Sequence, residues 1–237
     1  MTRRRLTFLT VVLTVLAAAC STASTAEQEI TETPESVTIT SGTGDVSVNA
    51  ADSGATVTAE ISASGEEPAW SAALEGTTLV IDDGCGDRTD CEVHLTIAVA
   101  GTADVTISTT DGGIAVVDMN SRVDIRGAAR TVSLNGITGP IGVDIERGDL
   151  LGARLVATDA SFRTGDGDLD VTLTEGFNSL AVVSGSGDVT AQVPDDDYNV
   201  DATTGSGAVD IKVGEDSGAA TSILMRTEDG DVTIYKR

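Results

Sequence analysis

Aromatic residues make up only 3% of this 237-residue chain, and it has one histidine, four prolines and three cysteines. Positive charge is scarce as well: 14 Lys+Arg stand against 38 Asp+Glu, for a formal net charge of −24. The shortage of cations excludes general binding to nucleic-acid phosphates, which needs a basic surface. It also opposes unaided adhesion to an anionic membrane. The single histidine, His94, alternates with Val93 and Leu95, which puts it on the polar face of a strand as a solvated side chain rather than a catalytic base. No G-x-S-x-G nucleophile elbow occurs. Stacking platforms for sugars are few: Trp70, Phe162, Phe177, Tyr198 and Tyr235 are scattered along the chain. Paired carboxylates are abundant, but in so acidic a chain they do not single out a glycosidase pair. Gly-rich phosphate cradles need a helix after the glycines. Here strand-like sequence follows them, so no nucleotide site is expected.

No apolar run reaches the roughly 20 residues of a spanning helix. The longest, Leu6 to Ala19, follows Arg3, Arg4 and Arg5 and ends at Cys20. Basic residues, a short apolar run and small residues before a cleavage point read as an export signal. Ala17-Ala18-Ala19-Cys20 resembles a bacterial lipobox, although Ala17 stands where Leu is usual. The expectation is therefore a signal peptide over 1–19 and a lipid on Cys20, with an ordinary A-x-A cleavage as the alternative. The arginine pair leaves the Sec and twin-arginine routes both open. Removing three arginines takes the net charge from −24 to −27. Residues 20–36, rich in Thr, Ser and Glu, read as a flexible tether.

Cys85 and Cys91 lie in the turn-rich stretch Gly84-Cys85-Gly86-Asp87-Arg88-Thr89-Asp90-Cys91. Six residues apart, they are expected to close a local disulfide in an oxidising compartment. With His94 they make an incomplete ligand set for structural zinc.

What the sequence has in quantity is β-branched residues and glycine. From Cys20 onward there are 37 Val+Ile but 11 Leu, and the chain holds 26 Gly. Alternation is clear in Val93–Val99, Val209–Val213 and Val232–Ile234, the period of a strand with one face buried. The turn Gly42-Thr43-Gly44-Asp45-Val46 recurs as Gly165-Asp166-Gly167-Asp168-Leu169, Gly185-Ser186-Gly187-Asp188-Val189 and Gly205-Ser206-Gly207-Ala208-Val209, and degenerately as Glu228-Asp229-Gly230-Asp231-Val232. Residues 167, 187, 207 and 230 give spacings near 20, one coil of a β-solenoid, whose coils bury an apolar face only by stacking. The fold class expected is all-β: a single domain over 37–237, with a more antiparallel cap-like part over 37–100 and stacked short strands over 101–237. Lys236 and Arg237, after the last strand, are expected to guard its edge.

The run Val183–Thr190, the segment Pro194–Tyr198, Thr204–Asp210 and the closing Arg226–Val232 resemble the bacterial putative-adhesin domain family of repeated T-G-S-G-D-V turns. The resemblance covers about 36–237. It implies a β-helix-like stack, a cell-envelope location and no known catalytic residue. Ala208 in place of Asp, and Glu228 in place of Gly, depart from the pattern. The function expected is that of a membrane-anchored envelope lipoprotein whose solenoid is a non-catalytic surface for adhesion, scaffolding or interaction. Its partners are then the membrane, through the anchor, and an envelope or extracellular protein or glycan. One alternative is an envelope sensor binding cationic peptides or Ca2+ through acidic turns, with Asp166, Asp168 and Asp188 as candidate oxygen ligands. The other is a polysaccharide-active β-helix enzyme.

Overall fold

The computed structural model describes residues 12–14, 22–64, 66–86 and 88–237. Secondary structure among the described residues is all β: one sheet of 12 strands and one of 11 face each other across a single apolar core. From residue 36 on, most of the chain runs one strand in the eleven-stranded sheet, a glycine corner, then one strand in the twelve-stranded sheet. Thus Ile141–Ile145 leads to Asp149–Leu155, Asp159–Asp166 to Leu169–Leu173, and Ser179–Ser186 to Val189–Val193. Neighbouring coils pair parallel and nearly in register, so like residues stack on like. One interior column runs Ile39, Ile107, Ile125, Val143, Phe162, Val182, Met225, each fully or almost fully buried. This is the solenoid that the period of about 20 implied. The alternating β-branched residues account for it: each coil offers one apolar row, and only the coils above and below can cover it.

The order of the coils is not the order of the chain. The last coil, Ser222–Asp229 with Val232–Lys236, is inserted between Ser179–Val193 and Asp197–Lys212. At the other end the first coil, Ser36–Thr43 with Val46–Ala51, lies inside, between Asp104–Val117 and the pair Thr78–Asp82 and Cys91–Ala100. Lys236 and Arg237 therefore follow an interior strand. The edges at that end of the solenoid are Val209–Lys212 and Asp197–Ser206, the latter covered at Asp197 and Tyr198 by Gly214–Glu215, so the edge-guarding role expected of the C-terminal charges does not apply.

The N-terminal part is capped as expected, with mixed polarity. Ala55–Ala63 and Cys91–Ala100 pair antiparallel, as do Ser71–Glu75 and Thr78–Asp82, whereas Thr78–Asp82 runs parallel to Ser36–Thr43. The segment expected as a tether differs more. Thr22–Ile30 is a strand antiparallel to Ala55–Ala63, and Val12–Thr14 pairs with Thr25–Glu27. Ala26 and Ile30 are buried, with Ser24 and Gln28 half-buried between them. These inward side chains are small or polar apart from Ile30, so the period-two pattern carries almost no hydropathy signal. The rest of the proposed signal, and Cys20 itself, lie outside the described residues.

Candidate functional site

The repeated turn is built from three interlocking rows of contacts. The Ser/Thr before the first glycine donates its hydroxyl to the carbonyl of the second glycine in the coil beside it. Ser184 Oγ donates to Gly167 O at 2.9 Å, Thr227 Oγ1 to Gly187 O at 2.9 Å, and Thr204 Oγ1 to Gly230 O at 2.7 Å. The second glycine sits at positive φ against its neighbour's backbone. A Cβ on Gly187 would lie 2.3 Å from Gly167 O, and one on Gly230 2.2 Å from Gly187 O. No other residue fits both the conformation and the space.

The third row is the aspartates. Each carboxylate accepts the backbone N–H of the equivalent residue in the next coil. Asp149 Oδ1 accepts from Asp168 at 3.0 Å, Asp168 Oδ1 from Asp188 at 2.8 Å, Asp188 Oδ1 from Asp231 at 2.8 Å, and Asp231 Oδ1 from Ala208 at 2.7 Å. Near the other end Asp45 Oδ1 accepts from Gly113 at 2.7 Å. The ladder thus runs 149, 168, 188, 231, 208. Ala208, which reads in the sequence as a broken repeat, is the last rung. No further coil offers it an N–H to accept.

This assigns a backbone partner to two of the candidate cation ligands, Asp168 and Asp188. Asp166 is placed across the glycine from them, its carbonyl accepting from Gly148 N–H at 2.7 Å. Among the described residues no group of three His, Cys, Asp or Glu converges as a metal site.

Cys85 and Cys91 form a disulfide with Cα atoms 5.6 Å apart. Both are buried beside Asp83, itself only 1% exposed. The Asp83 carboxylate is satisfied by three donors: Gly42 N–H at 2.6 Å, Cys85 N–H at 2.9 Å and Ser41 Oγ at 3.2 Å. Sequence reasoning did not single out Asp83, because nothing in one sequence distinguishes it from the exposed aspartates around it. The loop it organises also carries the Arg88–Asp90 pair, whose guanidinium hydrogen bond lowers the Asp90 carboxyl below its ordinary range.

His94 is half-buried and faces outward. Its Nδ1 accepts the Asp45 N–H at 3.1 Å, which leaves the ring proton on Nε2, 3.4 Å from Glu92 Oε1. The ring thus lies on the outward face of its strand, where its alternation with Val93 and Leu95 places it.

The outward face of the eleven-stranded sheet holds an open groove of about 770 Å3. Its floor is flat because Gly127, Gly165, Gly185 and Gly205 line it without side chains. Arg126, Arg163 and Arg226 occupy one row across the sheet, in the order Arg126, Asp144, Arg163, Val183, Arg226. Successive arginines are two strands apart, about 9.6 Å. Arg226 Nη2 binds Asp201 Oδ2 at 2.5 Å. Arg126 and Arg163 make no ion pair with any described residue. Glu146 and Glu228 line the groove too. It therefore presents guanidinium donors beside carboxylate acceptors, suited to hydrogen-bonding an extended polar chain. Sequence reasoning missed it, since these arginines lie 37 and 63 residues apart and only the stacking aligns them.

On the opposite sheet, Leu151 is 53% exposed and stands next to Asp170 in the cross-strand register. Burial raises the Asp170 carboxyl above its ordinary range. Near the far end, Tyr198 stacks on Phe177 with centroids 5.4 Å apart and donates its hydroxyl to Pro194 O at 2.8 Å. Burial, then Asp196 and Asp195, push its phenol up to about 12.

The family model that matches spans residues 27–235, and its description is Toastrack DUF4097. The chain belongs to this toastrack family. The match takes in the antiparallel N-terminal part from within Thr22–Ile30 onward as well as the repeats. Solved structures with a similar chain path include a putative cell adhesion protein from Clostridium sporogenes: 13% identity, 91% of this chain and 100% of that one, TM-score 0.43. A putative lipid binding protein from Parabacteroides distasonis gives 12% identity, 87% and 96% coverage and a TM-score of 0.45. A putative adhesin from Parabacteroides merdae gives 13%, 87% and 95%, and 0.40. No curated protein matches the chain.

Proposed function

We propose that this toastrack protein is an exported, lipid-anchored envelope protein whose solenoid is a non-catalytic interaction surface. The observation that carries the surface reading is the arginine groove. In a chain with 38 acidic residues, Arg126 and Arg163 stand without an ionic partner on a flat, exposed strip. Asp144 lies between them in the cross-strand row, yet neither guanidinium closes an ion pair with it. An external partner with acceptor oxygens, a glycan or a protein, satisfies them instead. The twofold support for export is the disulfide, which persists in oxidising compartments, and the arginine-led apolar run ending at Cys20.

The strand Thr22–Ile30 sharpens the anchoring. Once the signal with Val12–Thr14 is removed, body structure begins two residues after Cys20, so acyl chains there hold the N-terminal end of the solenoid close to the lipid surface. Each buried CH2 contributes about 0.8 kcal/mol, and two chains make the attachment stable.

The test has two arms. Cys20→Ala should shift the protein out of the membrane fraction or leave its signal uncleaved; unchanged membrane retention of a normally processed chain sinks the anchor. A photo-crosslinker in place of Arg163, on intact cells, should capture a partner that the same probe at Arg147 does not. Equal capture at both positions refutes the groove.

A further inference from the structure

We propose that the open end of the solenoid is a homodimer interface, in which Val209–Lys212 pairs antiparallel with the same strand of a second copy about a two-fold axis through Ile211. The two ends of the molecule are unlike. At the N-terminal end the sheets run on through Ala55–Ala63 and Thr22–Ile30 and through Ser71–Glu75, so the outermost described strands there are Val12–Thr14 and Ser71–Glu75. At the other end two strand edges lie side by side, Val209–Lys212 wholly free and Asp197–Ser206 covered only at Asp197 and Tyr198 by Gly214–Glu215. The apolar row that every other coil buries is uncovered here: Val209 is 42% exposed, and Val200, Ala202, Ile211 and Val213 are half-buried. Free, apolar strand edges are templates for pairing with another chain.

The charges on the edge decide what kind of chain. The ladder ends on Ala208, which presents no carboxylate; the interior positions Gly113 and Thr131 also stack without one, so the ladder alone does not select the neighbour. The edge strand itself carries Asp210 and Lys212 two residues apart, a charge pattern that complements its own antiparallel copy. An isologous contact uses this complementarity, because a two-fold axis perpendicular to the sheets sets each edge strand against itself in antiparallel fashion.

The backbone and the charges then select one register. Ala208 donates its N–H to Asp231 and accepts the Val232 N–H, so its backbone faces inward. Alternation turns the backbone groups of Val209 and Ile211 toward the free edge and those of Asp210 and Lys212 away from it. Ile211 opposite the partner's Ile211 is thus a hydrogen-bonded pair. Asp210 falls opposite the partner's Lys212 in the closer, non-hydrogen-bonded spacing, twice by symmetry. Moving the register by two residues sets Asp210 against the partner's Asp210, or Lys212 against the partner's Lys212. Within one chain Asp210 and Lys212 already meet at 2.5 Å on the outward face. The dimer closes this pair into a four-charge cluster.

The test is site-specific crosslinking of the full chain in its own cells, read on non-reducing gels. Ile211→Cys should give a disulfide-linked dimer, because a hydrogen-bonded antiparallel pair sets Cα atoms about 5.5 Å apart, within disulfide range. Asp210→Cys and Lys212→Cys should crosslink with each other when co-expressed but not each with itself. Ser47→Cys, at the far end of the solenoid, is the collision control. On the Ile211→Cys background, Asp210→Lys should cut the dimer yield by about tenfold, and adding Lys212→Asp should restore it. No Ile211→Cys dimer, a yield equal to that of Ser47→Cys, self-crosslinking at 210, or indifference to charge reversal overturns the proposal. None of these outcomes bears on the anchor or the groove, which have their own readouts.

Discussion

Asp188→Ala tests the intercalated coil order directly. Asp188 Oδ1 accepts the Asp231 N–H at 2.8 Å, while the N–H of Ala208 goes to Asp231. A hydrogen bond to a charged group contributes about 1.5–3 kcal/mol where it is shielded. These turns are solvent-exposed, so water replaces the lost acceptor and the cost falls to about 1 kcal/mol, similar to losing a helix N-cap. For a domain of this size that lowers Tm by about 2–4 °C. Ala208→Asp adds a carboxylate with no N–H to accept, and should stay within about 0.5 kcal/mol of the parent. Amide hydrogen exchange gives the sharper result. Asp188→Ala should expose the Asp231 amide and leave Ala208 protected, and Asp231→Ala should expose Ala208. If Asp188→Ala instead deprotects Ala208, the coils stack in chain order and the reasoning is wrong.

Two further predictions follow from local chemistry. Replacing Cys85 and Cys91 together by Ser frees a short loop and should cost about 2 kcal/mol in the chain-entropy account, measured by denaturant unfolding; no loss would show that the buried Asp83 contacts hold the loop unaided. Burial raises the Asp170 carboxyl. Its contribution to stability is therefore complete below the unfolded value, about 3.9, and is lost as pH rises through the higher folded value. Asp170→Asn should stabilise the protein at neutral pH, with the gain fading below about pH 4; a gain independent of pH would refute the burial argument.

The resemblance carried by Val183–Thr190 and Thr204–Asp210 led to the correct family and fold class. The disulfide was legible from a separation of six residues, and the surface role of His94 from the alternation around it. The strand Thr22–Ile30 was not, because a strand whose inward side chains are Ser24, Ala26, Gln28 and Ile30 looks like a polar linker. The groove was hidden for a different reason. Arg126, Arg163 and Arg226 share a row only because intervening strands pair in register, and sequence distance says nothing of that.

The scarcities with which the sequence begins fix much of the chemistry. The shortage of cations and of aromatics is a property of composition, and folding does not change it. The glycine and β-branched repeats likewise determine a solenoid, since alternation and tight corners are local properties of the chain. Which coil lies beside which is not local. Every T-G-S-G-D-V turn offers much the same hydroxyl, glycine and carboxylate, so neighbouring copies are interchangeable as a pattern. Only tertiary packing tucks the last coil inside the one before it, turns Ala208 from an imperfect repeat into the end of a ladder, and leaves Val209–Lys212 as an open edge.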